Sequence, residues 1–195
     1  MNVKSSRAPG SRQREAILVA ATTAFLRYGF KKTSMDDVAR AAGVSRQGLY
    51  LYFDTKDLLF REALQHLVSH LISAARAAAE DGNLSIRDRL LRAFETVHCS
   101  AFHNASREDA LELLQSAQSA AGALLVQLER DLMGIAAALL TEAGVADRWE
   151  EAGVTVAELS EQLLMSAKGI KTSVDTLAAY RERMLTAIRI VMRSP

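Results

Sequence analysis

Arg46 and Gln47 are adjacent, and each side chain can read a base edge. A guanidinium pairs with O6 and N7 of guanine, and a carboxamide pairs with N6 and N7 of adenine. Gly48 follows, with no side chain to hold off a thymine methyl or a sugar edge. Around this run stand hydroxyl, phenol and ammonium groups, Thr33, Ser45, Tyr50, Tyr52 and Lys56, suited to phosphate oxygens. Such contacts fix register, whereas base contacts fix sequence. The rest of the chain offers little other chemistry. It has no Gly-rich phosphate loop, no HExxH and no nucleophile elbow, so it does not read as an enzyme. His66 with His70, and Cys99 with His103, have a chelating spacing of four, but neither pair has an obvious carboxylate to complete a set. No metal and no cofactor are expected.

The formal net charge of +1 over 195 residues at first argues against a polyanion partner. Position reverses that inference. Residues 1–62 carry eleven Lys and Arg against six Asp and Glu, a net of +5, and residues 63–195 carry thirteen against seventeen, a net of −4. A basic head on a near-neutral body is the pattern of a nucleic-acid binder. Cys99 is the single cysteine, which excludes an internal disulfide and fits a reducing compartment. No apolar run approaches the roughly 20 residues of a membrane span, and a cytoplasmic location is expected with no membrane partner.

The elements that must hold these residues are helical. The only prolines are Pro9 and Pro195, and no stretch alternates with a period of two. Residues 1–10 read as a flexible arm. A first helix runs from Ser11 to Tyr28 and is closed by Gly29. Ser34 with Asp37 forms a capping box for a short second helix that stops at Gly43. Ser45 then caps a third helix from Arg46 to about Tyr52. Asp54 or Thr55 starts a fourth, to about residue 80. Further periodic segments cover 85–103, 107–118, 122–143, 155–173 and 175–193, with turns predicted near Ser119 to Gly122 and from Gly144 to Gly153. The fold class is all-α with about nine helices. Its organisation is an arm at 1–10, a three-helix helix-turn-helix domain at 11–55 and a helical regulatory and dimerisation domain at 56–195.

Two short helices about a glycine turn, the second capped directly after it, have helix-turn-helix geometry. The run Thr33-Ser-Met-Asp-Asp-Val-Ala-Arg-Ala-Ala-Gly43-Val44-Ser45-Arg-Gln-Gly-Leu-Tyr50-Leu-Tyr52-Phe53 resembles the N-terminal domain of TetR/AcrR-type transcriptional regulators. The likeness is close over residues 11–62. It implies phosphate contacts at Thr33, Tyr50, Tyr52 and Lys56, and a homodimer formed through the last two helices. Gln47-Gly48 departs from the Gly-Thr or Gly-Ser of many members, so their base preference does not transfer. Lys31, Lys32, Lys4 and Arg7 read either as further phosphate contacts or as a solvated basic face. Val38, Leu49 and Phe53 read as core.

In the body, His70 and His98 fall on apolar stripes and, with Phe102, are candidate ligand-binding residues; the competing reading is a satisfied core histidine. Leu159, Leu163, Ile170, Leu177, Met184, Ile188 and Val191 are candidates for a four-helix interface between copies. The function expected is a sequence-specific DNA-binding regulator of palindromic double-stranded DNA, a homodimeric repressor released by a partly apolar small molecule. The alternatives are a helical adaptor and a metal-responsive regulator.

Overall fold

Good helix formers without an internal proline give helices throughout. The computed structural model describes residues 9–99 and 107–193, with side-chain detail for 10–99 and 122–193, and among these residues it contains nine α-helices and no strand. The predicted arm lies mostly outside the described residues, as do Phe102 and His103. The chain forms two compact units. The first holds described residues up to 67 together with the start of the sixth helix, and the second holds residues 68–99 and 123–193. The division falls within the fourth helix.

In the first unit, α1 (Pro9–Tyr28) ends at Gly29, whose φ of 79° is the left-handed value that favours glycine. Its amide donates to the Phe25 carbonyl at 3.0 Å. The short α2 (Met35–Ala41) starts from the predicted capping box: the Asp37 amide donates to Ser34 Oγ at 3.2 Å, and the Ser34 amide donates to the Asp37 carboxylate at 3.0 Å. The Ser34 hydroxyl in turn donates to that carboxylate at 2.5 Å, and this bond with the one from the amide holds the Asp37 carboxyl below its usual range. Gly43, at φ 67°, turns the chain into α3 (Arg46–Tyr50). Then α4 (Lys56–Ala79) begins, with Thr55 Oγ1 accepting the Leu58 amide at 3.1 Å. Ile17, Ala21, Phe25, Val38, Leu49, Phe53 and Phe60 form the core, so Val38, Leu49 and Phe53 are core residues as read. Phe25 and Phe60 meet edge to face at 5.0 Å between ring centroids.

In the second unit, α5 (Ile86–Cys99), α8 (Val156–Ser173) and α9 (Leu177–Met192) pack on one another around Leu90, Phe94, Leu163, Tyr180, Met184 and Ile188. Thr155 and Glu158 form a second capping box at the start of α8. Two expectations are corrected here. The segments at 107–118 and 122–143 are one helix, α6 (Arg107–Glu142), because a single interior glycine such as Gly122 costs only about 1 kcal/mol, too little to end a helix that packing sustains. The stretch Gly144 to Gly153, expected as a turn, holds a short α7 (Val145–Trp149) and a 3₁₀ turn (Glu150–Ala152).

The helix α7 closes the end of α9. Trp149 Nε1 donates to the Val191 carbonyl at 2.7 Å and Arg148 donates to the Met192 carbonyl at 2.6 Å, satisfying groups that a helix terminus leaves open. Arg193 lies over the Trp149 ring at 4.0 Å. The interface candidates are also reassigned. Leu159, Leu163, Met184, Ile188 and Val191 are buried in the unit's own core, with Ile170 and Leu177 packed against it. The large apolar side chains left exposed on α8 and α9 are Met165 at 48% and Ile190 at 64%.

Candidate nucleic-acid interface

The turn at Gly43 and the cap at Ser45 determine where α3 starts, and its first side chains follow from that. Ser45 Oγ accepts the Gly48 amide at 2.9 Å, which ties down the first turn. Ser45 is thus a helix cap, and Gly48 is held close beneath it. Arg46 and Gln47 are exposed at this end. Leu49, on the opposite side, is fully buried in the core. The burial of one face therefore presents the other.

Arg46, Tyr50 and Lys56, from α3 and the start of α4, line one groove of about 320 Å³ with Lys31, Lys32 and Asp36. The Lys56 ammonium lies 4.3 Å from the centroid of the Phe30 ring, so an aromatic face supports the cation at the helix start. Arg46 has two neighbours. Its Nη1 donates to Asp36 Oδ2 at 3.2 Å, and its guanidinium carbon lies 5.8 Å from the Tyr50 ring centroid. Tyr52 is half-buried against the core.

Thr33 requires a correction. Its side chain is only 2% exposed, and its hydroxyl donates to the Gly29 carbonyl at 2.8 Å. The hydroxyl read as a phosphate donor instead fastens the loop after α1, because Gly29 turns the backbone back over it. Two residues of this surface carry no role in the sequence reading. Asp36 is joined to Arg46 across the turn. Leu51, 82% exposed just past α3, breaks the burial pattern of Leu49 and Phe53. The apolar periodicity that marks Leu49 and Phe53 singles Leu51 out, whereas no local signal links Asp36 to Arg46.

The candidate ligand residues separate. His70 is exposed on α4, so it is not the polar group on a buried stripe that the spacing implied. His98 is buried. Its Nδ1 bonds the Phe94 carbonyl at 3.0 Å, and its ring stacks with those of Phe94 at 6.1 Å and Tyr180 at 6.5 Å. Burial pushes its pKa down to about 4, with Lys171 and Lys168 adding to that and the Phe94 bond and Glu129 opposing it. The ring is therefore neutral near pH 7. Since the Phe94 carbonyl takes the Nδ1 proton, Nε2 is left as an acceptor. Close by in the same core, the Tyr180 hydroxyl is fully buried and has no hydrogen-bond partner among the described residues. Burial raises that phenol's pKa and lowers that of the Lys171 ammonium. Cys99 is buried too and its thiol is pushed up to about 12, which leaves it unreactive. Among the described residues no three His, Cys, Asp or Glu side chains gather as metal ligands, and no helix is long and apolar enough to cross a membrane.

A glycine-turned pair of short helices, capped at both starts and backed by a third, with cations about the second, defines a helix-turn-helix unit. Residues 17–63 match the family described as bacterial regulatory proteins, tetR family. That match covers the helix-turn-helix and the helices beside it, about a quarter of the chain, and not the body. It is 36% identical over 77 residues to the HTH-type transcriptional activator FasR of Mycolicibacterium smegmatis, an alignment covering 40% of this chain and 35% of that protein. It is likewise 36% identical over 78 residues to the regulator RutR of Escherichia coli, covering 40% of this chain and 36% of that one. The alignments thus span about a third of these relatives' length. Over the full fold, it is similar to a TetR-like regulator from Rhodococcus sp. RHA1, with a TM-score of 0.64, 26% identity, and coverage of 97% of this chain and 100% of that one.

Proposed function

We propose that this chain is a sequence-specific repressor that binds palindromic double-stranded DNA as a homodimer and is released by a small, partly apolar molecule. The observation that carries the reading is the exposed start of α3, where Arg46 and Gln47 stand beside a groove lined by Lys31, Lys32 and Lys56. Lysines neutralise phosphates, and the two long side chains reach bases. Two-fold symmetry then sets half-sites one helical turn apart, about 34–36 Å.

A homodimer is supported by Met165 and Ile190, apolar side chains left uncovered on the last two helices. An effector is supported by the Tyr180 hydroxyl, which has no partner among the described residues, and by the neutral His98 ring, polar groups inside a largely apolar core. A molecule with a polar end on an apolar body answers both. It releases DNA only if it binds the DNA-free state more tightly, since equal affinity shifts nothing.

An electrophoretic shift of the DNA upstream of its own coding region, at moderate salt with competitor, tests the reading. A discrete complex that resists shuffled DNA is expected, and loss of both duplexes at the same competitor level would overturn it. In sedimentation, Met165→Glu with Ile190→Glu should convert a dimer to a monomer; an unchanged dimer would remove that interface.

A further inference from the structure

We propose that Asp36 is the positioning residue that sets the specificity of Arg46, holding its guanidinium at the approach from which it reads guanine and repelling phosphate where that base is missing. The inference rests on the DNA-binding reading above. An exposed arginine is rotamer-rich and pairs with any phosphate within reach, so by itself it contributes affinity more readily than selectivity. Here it has two neighbours. The Asp36 carboxylate takes Nη1 at 3.2 Å, and the Tyr50 ring faces the guanidinium at 5.8 Å. One N–H goes to Asp36, and the others suffice for a bidentate pair with O6 and N7.

Asp36 has one other, smaller duty, as an acid in the first turn of α2 where the helix dipole favours it. The capping box at the start of α2 is made by Ser34 and Asp37. An ion pair this exposed adds little to stability. What it does add is a negative charge in a groove shared with Lys31, Lys32 and Lys56. An acid there competes with nearby phosphates for Arg46, which weakens duplexes that lack the guanine more than those that offer it, a repulsive element of the kind that creates selectivity.

The test uses the full chain as wild type, Asp36→Asn, Asp36→Glu, Arg46→Ala and the double variant Asp36→Asn with Arg46→Ala. Each is challenged with a pool of duplexes randomised over their central base pairs, and the retained DNA is sequenced. Affinities for one selected duplex and one shuffled duplex are then titrated. Wild type should enrich guanine at one position per half-site. Asp36→Asn should lower that enrichment about five- to tenfold at that position alone and bind shuffled DNA more tightly, and Asp36→Glu should restore part of the preference. The effect should vanish in the Arg46→Ala background. Melting temperatures of Asp36→Asn and wild type should differ by no more than a few degrees, the small cost of a lost first-turn acid. Unchanged enrichment, an effect that persists without Arg46, or a uniform loss over all sequences overturns the proposal. Wild-type protein that retains no duplex overturns the DNA-binding reading itself, and this inference with it.

Discussion

The Ser45 hydroxyl oxygen accepts the Gly48 amide at 2.9 Å, and a Cβ built on Gly48 would stand only 3.1 Å from that same oxygen. The cap and the glycine are thus one device: the hydroxyl sits where a side chain at position 48 would otherwise press.

Ser45→Ala should therefore destabilise the first unit by about 1 kcal/mol, the usual cost of a lost N-cap, and weaken all DNA sequences alike. Gly48→Ala should cost less in thermal melting, because the helix propensity gained by alanine offsets a displaced cap. Denaturation curves of the two variants check the order; a larger loss for Gly48→Ala would contradict it.

Lys56 and Gln47 should differ in kind. Lys56→Ala should reduce the slope of log affinity against log salt by about 1, with little change in base preference. It should also lose about 0.5–1 kcal/mol of stability, since the ammonium rests on the Phe30 ring. Gln47→Ala should leave the salt slope alone and change which base is chosen. Titrations at several salt concentrations separate the two effects.

The buried histidine predicts a pH dependence. In the folded chain His98 stays neutral down to about pH 4, whereas in the unfolded chain it takes up a proton below about 6.5. The unfolded state binds more protons between those values, so stability falls as pH drops from about 6.5 to 4, by on the order of 3 kcal/mol in full. His98→Phe keeps a ring between Phe94 and Tyr180 and should flatten this part of the profile. Urea denaturation across the pH range would show it.

Tyr180→Phe should leave the second unit as stable as wild type or more stable by about 1 kcal/mol, because it removes a buried hydroxyl that has no partner among the described residues. The same variant should respond less to the effector that releases DNA. A clear drop in melting temperature would mean that the hydroxyl is satisfied in solution.

The head was legible because its signals are local. Ser34 with Asp37, Gly43 and Ser45 each act within a few residues, and the structure puts each at its cap or turn. The misreadings came where a neighbour distant in sequence decides. Periodicity marks Met184 and Ile188 as apolar-facing, but it does not say whether another chain or their own covers them. Thr33 looked available because the loop that buries it is built by Gly29, whose turn direction no side chain reveals. His70 and His98 read alike as polar groups on stripes, yet only His98 is enclosed by α5's neighbours. The tie from Asp36 to Arg46 crosses ten residues and the glycine turn, so no helical spacing announces it.

The contact that closes α9 also has an optical consequence. Trp149 is the single tryptophan, and its indole is bonded to the Val191 carbonyl and covered by Arg193. Its fluorescence therefore reports on the second unit alone, while tyrosine emission mixes Tyr28, Tyr50 and Tyr52 of the first unit with Tyr180 of the second. Excited selectively, the indole times the opening of one unit without a label, and in a Tyr180→Phe chain the tyrosine signal that remains belongs to the other.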